Sequence, residues 1–237
     1  LLNLPVMTIL SSEELKKIRT ITLQGKKGKP YIMRNYPDIS FYGNLATAGE
    51  NNMPVLKPFC GSIPNRIVAF DEAYTKKDTD CIIHFYESDR RFMRLFHNPK
   101  KYLYFLKKCA VVIGPDLSQL AYMDEMSRYF HAWHNRAMSA WLQQNGVNII
   151  PNVTWSRRDS FEYSYTGMPK HSIVAVNSTG ILDHDVSMYM WREGYKNVAL
   201  PLEPSIIIRY GDKMPDENER ITLHYSNERL NRLRYGS

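Results

Sequence analysis

The stretch AVVIGPDLSQ spans residues 110–119 and joins a continuous apolar run to a polar exit that contains proline. An apolar run without polar alternation is typical of a strand covered on both faces, as in a parallel sheet. Similar runs recur from residue 66 onward, at 66–70, 80–86, 110–114, 147–151, 172–176, 205–210 and 221–225.

Segments with helical character separate these runs, at 89–108, 119–145 and 183–195. Strands that alternate with helices predict right-handed βαβ units, and therefore an α/β fold with a mostly parallel sheet. The chain is slightly short for a complete eight-stranded barrel. We therefore expect an incomplete or distorted barrel-like arrangement, with an open doubly wound sheet as the alternative.

The first 65 residues differ in composition, because Gly, Pro and Asn are frequent in QGKKGKPY (24–31) and in the segment 42–65. Such composition favours loops and turns. We expect residues 1–65 to form an irregular wrap or lid that does not fold independently, with a short capped helix after Ser12. Residues 66–237 should form the α/β domain of a single globular unit.

The composition is that of an ordinary globular protein, with 43% hydrophobic and 23% charged residues. A disordered tail or a collagen-like fibre is therefore excluded. The longest apolar runs have about five residues, far fewer than the ~20 that cross a bilayer, so no membrane partner is expected. Three cysteines without a CxxC motif argue against a disulfide framework or a zinc site and favour a reducing compartment.

The formal net charge is +7, from 31 basic and 24 acidic residues. This excess favours a polyanionic partner such as a nucleotide or nucleic acid. A soluble basic protein without such a partner is the alternative.

Polar residues follow the predicted strands, where ligands bind in α/β folds. Asp71, Asp89 and Asp116 are candidate catalytic carboxylates, since paired acids support glycoside hydrolysis or metal-assisted phosphate chemistry. A divalent metal ion is thus left open as a cofactor. For each residue alone, helix capping or a turn is the competing interpretation. Candidate ligand-binding residues at these exits are Asn152, Trp155, Asn177, Ser178 and Gly180.

The long predicted helix adds Asn135 and Arg136 as candidate ligand contacts. Asn135 lies one turn from His131, so the two could face the site together, and a partly buried hydrogen-bonding pair of these residues is the alternative. A structural salt bridge is the alternative for Arg136. His131 and His134 form an HxxH pair without an acidic neighbour, which is a poor metal signature. The NSTG segment at 177–180 could hold phosphate in a backbone nest, although it lacks the lysine of a P-loop.

The ordered segments VVIGPDLS, HNRAMSAWLQQNGVNIIPNVTW, FEYSYTGMPKHSIVAVNSTG and LEPSIIIRYG extend from residue 111 to residue 211. Together they resemble the family known as domain of unknown function 4417, whose members occur in bacteria, phages and mobile elements. The resemblance covers roughly residues 80–211 and transfers no activity. It implies a phage or mobile-element setting and a cytoplasmic location in a bacterial host.

The leading hypothesis is a protein that binds, and could process, a phosphate-bearing ligand at the strand ends, either a nucleotide or a nucleic-acid end. Asp116 would orient a ribose hydroxyl or act as a base, and Trp155 would stack on a nucleobase. Asn152 and Ser178 would donate hydrogen bonds. The alternatives are a carboxylate-based hydrolase of glycosidic or phosphodiester bonds and a non-catalytic basic nucleic-acid-binding protein. Catalysis and oligomeric state stay open.

Overall fold

The computed structural model describes residues 39–182, 185–215 and 218–226. Its contacts divide the chain into Leu1–Phe41 and Tyr42–Ser237. The predicted helix after Ser12 lies outside the described residues, and the predicted boundary at residue 65 stays a prediction.

Seven parallel strands form the framework, in two sheets that follow chain order. The first sheet contains β3 (Ile67–Ala69), β4 (Ile82–His84), β5 (Val111–Ile113) and β6 (Ile149–Ile150), and the second contains β7 (Ile173–Ser178), β8 (Ile206–Gly211) and β9 (Thr222–Tyr225). They are preceded by a short antiparallel pair, β1 (Thr47–Ala48) and β2 (Met53–Pro54).

A parallel bridge between Asn152 and Ala175 connects the two sheets. The Val153 amide donates to the Ala175 carbonyl at 2.8 Å, and the Ala175 amide donates to the Pro151 carbonyl at 2.9 Å. The strands therefore succeed one another from β3 to β9 without the order reversal of a doubly wound sheet.

The sheets do not close into a barrel, since no strand pairing joins β3 to β9 among the described residues. The Tyr225 hydroxyl donates to the Pro64 carbonyl at 2.9 Å and links the two edges. Tyr225 and Ile67 also pack against one core cluster, formed by Ile82, Val111, Ile113, Ile150, Ile173, Ala175 and Ile208 among others. The predicted α/β class with a mostly parallel sheet is confirmed.

Both faces of β7 are buried, which explains its continuous apolar sequence. Ile173 and Ala175 face the cluster just described, whereas Val174 and Val176 face a second core with Trp191. The two cores alternate along the strand, as the period of two requires.

The helices are α1 (Phe70–Lys76), α2 (Asp89–His97), α3 (Pro99–Leu106), α4 (Glu125–Gln144), α5 (Phe161–Tyr165) and α6 (Asp185–Gly194). Short 3₁₀ helices lie at Ile39–Tyr42, Arg158–Ser160 and Leu200–Leu202, and a π-helical turn lies at Tyr195–Ala199.

Two of the predicted helices were wrong in their limits. The helix predicted at 89–108 is two helices, because Pro99 cannot continue α2 and Asn98 caps α3 by accepting from the Lys101 amide at 3.3 Å. The helix predicted from 119 begins at 125, where Asp124 caps it by accepting from the Ser127 amide at 2.9 Å. Asp116 therefore does not cap this helix.

Candidate functional site

Four polar side chains meet at the carboxyl ends of β4 to β7. The Tyr86 hydroxyl donates to Asn152 Oδ1 at 2.8 Å. Asn152 Nδ2 donates to Asp116 Oδ1 at 3.2 Å, and Asn177 Nδ2 donates to Asp116 Oδ2 at 3.5 Å. We call Tyr86, Asp116, Asn152 and Asn177 the strand-end cluster. Asp116, Asn152 and Asn177 follow strand exits that the sequence predicted, and the structure brings them together, whereas their role as ligand contacts stays a prediction.

Asp116 is the electrostatic centre of the cluster. Burial raises its pKa to about 7, while the amides of Asn152 and Asn177 lower the pKa and the nearby Asp89 raises it. The residue is densely surrounded but retains partial exposure to solvent. A partly exposed carboxyl group with a raised pKa therefore lies at this edge of the sheet.

The loop that carries Asp116 is fastened to α4. Asn135 Oδ1 accepts from the Leu117 amide at 2.8 Å, and Asn135 Nδ2 donates to the Leu117 carbonyl at 3.1 Å. A Cβ on Gly114 would lie only 2.5 Å from Ser139 Oγ, so the end of β5 packs directly on the helix. Asn135 thus holds the loop through the Leu117 backbone, and its role as a ligand contact stays a prediction.

An aromatic stack lies beside the cluster. The His84 ring stands 5.5 Å from that of Tyr86 and 4.4 Å from that of Tyr210. His84 Nδ1 accepts from the Tyr86 amide at 3.1 Å, and burial lowers the pKa of His84 to about 3, so the ring is neutral. Burial and Asp116 hold the pKa of Tyr86 far above its usual value. These three rings are buried against one another, and Tyr86 joins the stack to the cluster through Asn152.

The other two candidate carboxylates have partners of their own. Asp71 Oδ1 accepts from Arg94 at 2.6 Å in an ion pair that is partly exposed. Asp89 accepts from the Ser118 amide at 3.2 Å and from the Ser118 hydroxyl at 3.0 Å. Asp89 is near enough to affect the pKa of Asp116, but it serves to fix the loop after β5.

Arg136 lies buried behind the site. It donates to the carbonyls of Thr166 at 2.8 Å, Ser164 at 2.9 Å and Pro54 at 3.5 Å, and burial lowers its pKa to about 9. These contacts tie α4 to α5 and β2. Arg136 thus contacts backbone carbonyls and forms no salt bridge with the described residues, and its predicted contact with a ligand anion stays a prediction.

Trp155 packs in the outer core. Its ring lies 6.0 Å from the ring of Trp191, and a Cβ on Gly194 would fall 2.1 Å from it. The described contacts of Trp155 are those of a packing residue, and its predicted stacking on a nucleobase stays a prediction.

The NSTG segment after β7 satisfies its own backbone donors. The Thr179 amide donates to Asn177 Oδ1 at 3.0 Å, and the Gly180 amide donates to Asp212 Oδ2 at 3.3 Å. The Ser178 hydroxyl donates to the Asp212 carbonyl at 2.6 Å. Because the Thr179 and Gly180 amides are occupied, they are not free to hold a phosphate in a backbone nest. The contact with the Thr179 amide also fixes the Asn177 side chain, whose Nδ2 donates to Asp116.

The sequence analysis missed Tyr86, His84 and Tyr210. The run CIIHFY is read as a strand, so its polar members pass as strand residues. The available signal is the two-residue spacing of His84 and Tyr86, which places both on one side of an otherwise apolar strand.

Two searches of the described residues gave negative findings. No three or more His, Cys, Asp or Glu side chains there are grouped as metal ligands would be. None of the described helices combines the length and the apolar character needed to span a membrane.

The fold and this site define an α/β protein of sequentially ordered parallel strands, with a polar cluster centred on one carboxyl group at their carboxyl ends. The chain belongs to the family described as Domain of unknown function (DUF4417), whose model matches residues 45–226. The expected family resemblance is thereby confirmed.

Two phage proteins are similar to this chain. It is 27% identical over 129 residues to the Gene 1 protein of Mycobacterium phage L5, covering 54% of this chain and 56% of that protein. It is 25% identical over 129 residues to the Gene 1 protein of Mycobacterium phage D29, covering 54% and 48%. The matched region spans about half the length of these curated relatives. No solved structure matches the chain.

Proposed function

We propose that this protein binds a phosphate-bearing ligand of the nucleotide class at the carboxyl ends of β4 to β8. The observation that carries the proposal is Asp116, a partly exposed carboxyl group held by amides from two neighbouring strand ends. Ligands of parallel α/β folds bind at this edge of the sheet.

The chemistry of the cluster suits the sugar and base of a nucleotide. Asp116 retains acceptor capacity beyond its two amide partners and can receive hydrogen bonds from ribose hydroxyls or from base N–H groups. The stacked rings of His84, Tyr86 and Tyr210 are buried beside the cluster and make its surroundings apolar on that side.

The phosphate end would lie towards solvent, because the backbone amides after β7 are occupied. Arg90 follows Asp89 at this edge and is exposed, and the overall charge of +7 attracts anions over longer distances. In this proposal the protein acts in the cytoplasm of a bacterial host, where nucleotides are plentiful.

The test is a thermal-shift screen at pH 7 with nucleoside mono-, di- and triphosphates and cyclic dinucleotides. A ligand at 100 times its Kd stabilises the folded state by about 2.7 kcal/mol, which raises the melting temperature measurably. We expect a shift for the parent and for the control Asp71→Asn, and its loss in Asp116→Asn. No shift with any nucleotide would sink the proposal.

A second candidate is a hydrolase that uses Asp116 as a general acid or base. The specific observation is the pKa of about 7, which suits proton transfer at neutral pH. Hydrolysis of bis-p-nitrophenyl phosphate or of p-nitrophenyl glycosides should then follow a pH profile with an inflection near 7 and disappear in Asp116→Asn. Absence of turnover in the parent would contradict the hydrolase candidate and leave ligand binding as the proposed function.

A further inference from the structure

A cavity of about 460 Å³ opens at the amino-terminal ends of β4, β5 and β6. Asp80, Ala110 and Asn148, which precede these strands, line one side, and the segment 59–64 lines the other. The cavity lies at the edge of the sheet opposite the strand-end cluster. Its volume falls within the roughly 300–1,000 Å³ of small-molecule pockets.

The segment 59–64, here called the amino-end strap, is fixed at both ends. The Phe59 amide donates to Ser172 Oγ at 2.9 Å, and the Ile173 amide donates to the Phe59 carbonyl at 2.9 Å. At the other end the Pro64 carbonyl accepts from Tyr225. One end of the strap is hydrogen-bonded to β7 and to Ser172 just before it, and the other end is hydrogen-bonded to β9. The cavity is therefore pre-formed, and a ligand need not order the strap when it binds.

The strap gives the cavity an apolar wall. Phe59 and Ile63 are partly buried and pack against the core cluster that contains Ile173 and Ile208. The Phe59 ring lies over Gly61, where a Cβ would be 2.7 Å from its Cζ. The aromatic or aliphatic part of a ligand would therefore displace water from the apolar surface of Phe59 and Ile63.

The polar side of the cavity contains one charged residue, Asp80. Its carboxylate forms no hydrogen bond or ion pair with the residues that the structure describes. Arg66 attracts it through space, but the Arg66 guanidinium donates to Asp78 at 2.6 and 2.9 Å and to the Asp80 carbonyl at 3.3 Å. These three side chains together leave one negative charge at the rim.

We propose that this cavity is a second ligand site, for a small organic amine whose apolar body contacts Phe59 and Ile63 and whose ammonium group contacts Asp80. The apolar wall supplies burial, and the Asp80 carboxylate, which has no hydrogen-bond or ion-pair partner in the described part of the chain, supplies the preference for a cation. The site is independent of the function proposed for the strand-end cluster.

Saturation-transfer NMR on the full chain tests the proposal with tryptamine and, as its anionic counterpart, indole-3-propionate. We expect tryptamine to bind about tenfold more tightly, a difference that corresponds to about 1.4 kcal/mol. Asp80→Asn should remove this preference. Ala110→Phe should weaken tryptamine by filling the cavity.

Asp116→Asn is the control, because it lies at the opposite end of the sheet and should leave tryptamine binding unchanged. Equal affinities for the amine and the acid in the parent would overturn the proposal. So would tryptamine binding that persists in both Asp80→Asn and Ala110→Phe, or that is lost in Asp116→Asn.

Discussion

Asp116 carries a conflict between burial and charge. Its surroundings disfavour the carboxylate, and the two amides that bond to it only partly offset this, so the pKa rises to about 7. The folded protein therefore holds a proton on Asp116 between about pH 4 and pH 7, where the unfolded chain does not. The resulting stabilisation is complete below pH 4 and is lost as the pH rises through 7.

Asp116→Asn should therefore gain stability relative to the parent as the pH rises. Near pH 4 the free energies of unfolding should agree within about 1 kcal/mol, since the parent carboxyl is then neutral in the folded state and partly protonated in the unfolded chain. At pH 8 the variant should be more stable by about 2 kcal/mol, a value reduced by the partial exposure of the side chain. Urea denaturation at both pH values measures the difference.

Asp71→Asn is the matched control, because it removes a carboxylate from a partly exposed ion pair. The difference in free energy of unfolding between Asp71→Asn and the parent should change by less than about 0.5 kcal/mol over the same pH interval. This is roughly the usual effect of a surface substitution. A constant difference between Asp116→Asn and the parent would mean that Asp116 ionises normally.

At single positions the sequence predicted which residues follow a strand, but not which groups their side chains contact. The sequence placed Asp116, Asn152 and Asn177 after predicted strands, and they lie close together because parallel strands place their carboxyl ends at one edge. The contacts of Arg136 with backbone carbonyls could not be predicted, since they depend on how α5 packs against α4. The same applies to Trp155, whose surroundings are set by Gly194 on a distant helix.

Helix α4 and strand β5 form the support of the site. They approach so closely at Gly114 that a methyl group would meet the Ser139 hydroxyl at 2.5 Å. We expect Gly114→Ala to cost about 1–3 kcal/mol, because the strand end must move away from the helix. The same movement should weaken any ligand that Asp116 binds.

Ser139→Ala removes the clashing oxygen and provides an internal control. The double variant Gly114→Ala/Ser139→Ala should be more stable than the sum of the single effects predicts, by about 1–2 kcal/mol in a double-mutant cycle. Additive effects in denaturation experiments would show that the contact is not tight.

Among the elements, the apolar runs predicted β3 to β9 well because both faces of such strands are buried. The limits of the helices were less predictable. Met126 and Phe130 lie within α4 at the spacing of core-facing residues, yet their side chains are 72% and 39% exposed. Periodicity records which residues share a helix face, but it does not show where the covering elements end.

At the scale of the whole domain, the buried His134 opposes the effect of Asp116, because it makes acid destabilising. His134 lies among the rings of Phe96, Phe130 and Trp133, and neither ring nitrogen has a hydrogen-bond partner in the part of the chain described. Burial and the neighbouring His131 lower the pKa of His134 to about 4. The unfolded chain therefore binds a proton below about pH 6.5 that the folded chain excludes, and stability falls as the pH falls.

His134→Phe removes this titration while preserving the ring packing. Between pH 7 and pH 5 the parent should lose about 1–2 kcal/mol more of its free energy of unfolding than the variant does. Equal losses in denaturant titrations would indicate that His134 is accessible to protons in the folded state.

The most direct measurement is a ¹³C NMR titration of the aspartate carboxyl groups, with the Asp116 resonance assigned by its absence in Asp116→Asn. The account predicts an apparent pKa of about 7 for Asp116 in the free protein. Saturation with the nucleotide found by thermal shift should lower this pKa, because hydrogen bonds from the ligand stabilise the carboxylate. A resonance that titrates near 4, or one that the bound nucleotide leaves unchanged, would contradict the placement of Asp116 at the centre of the site.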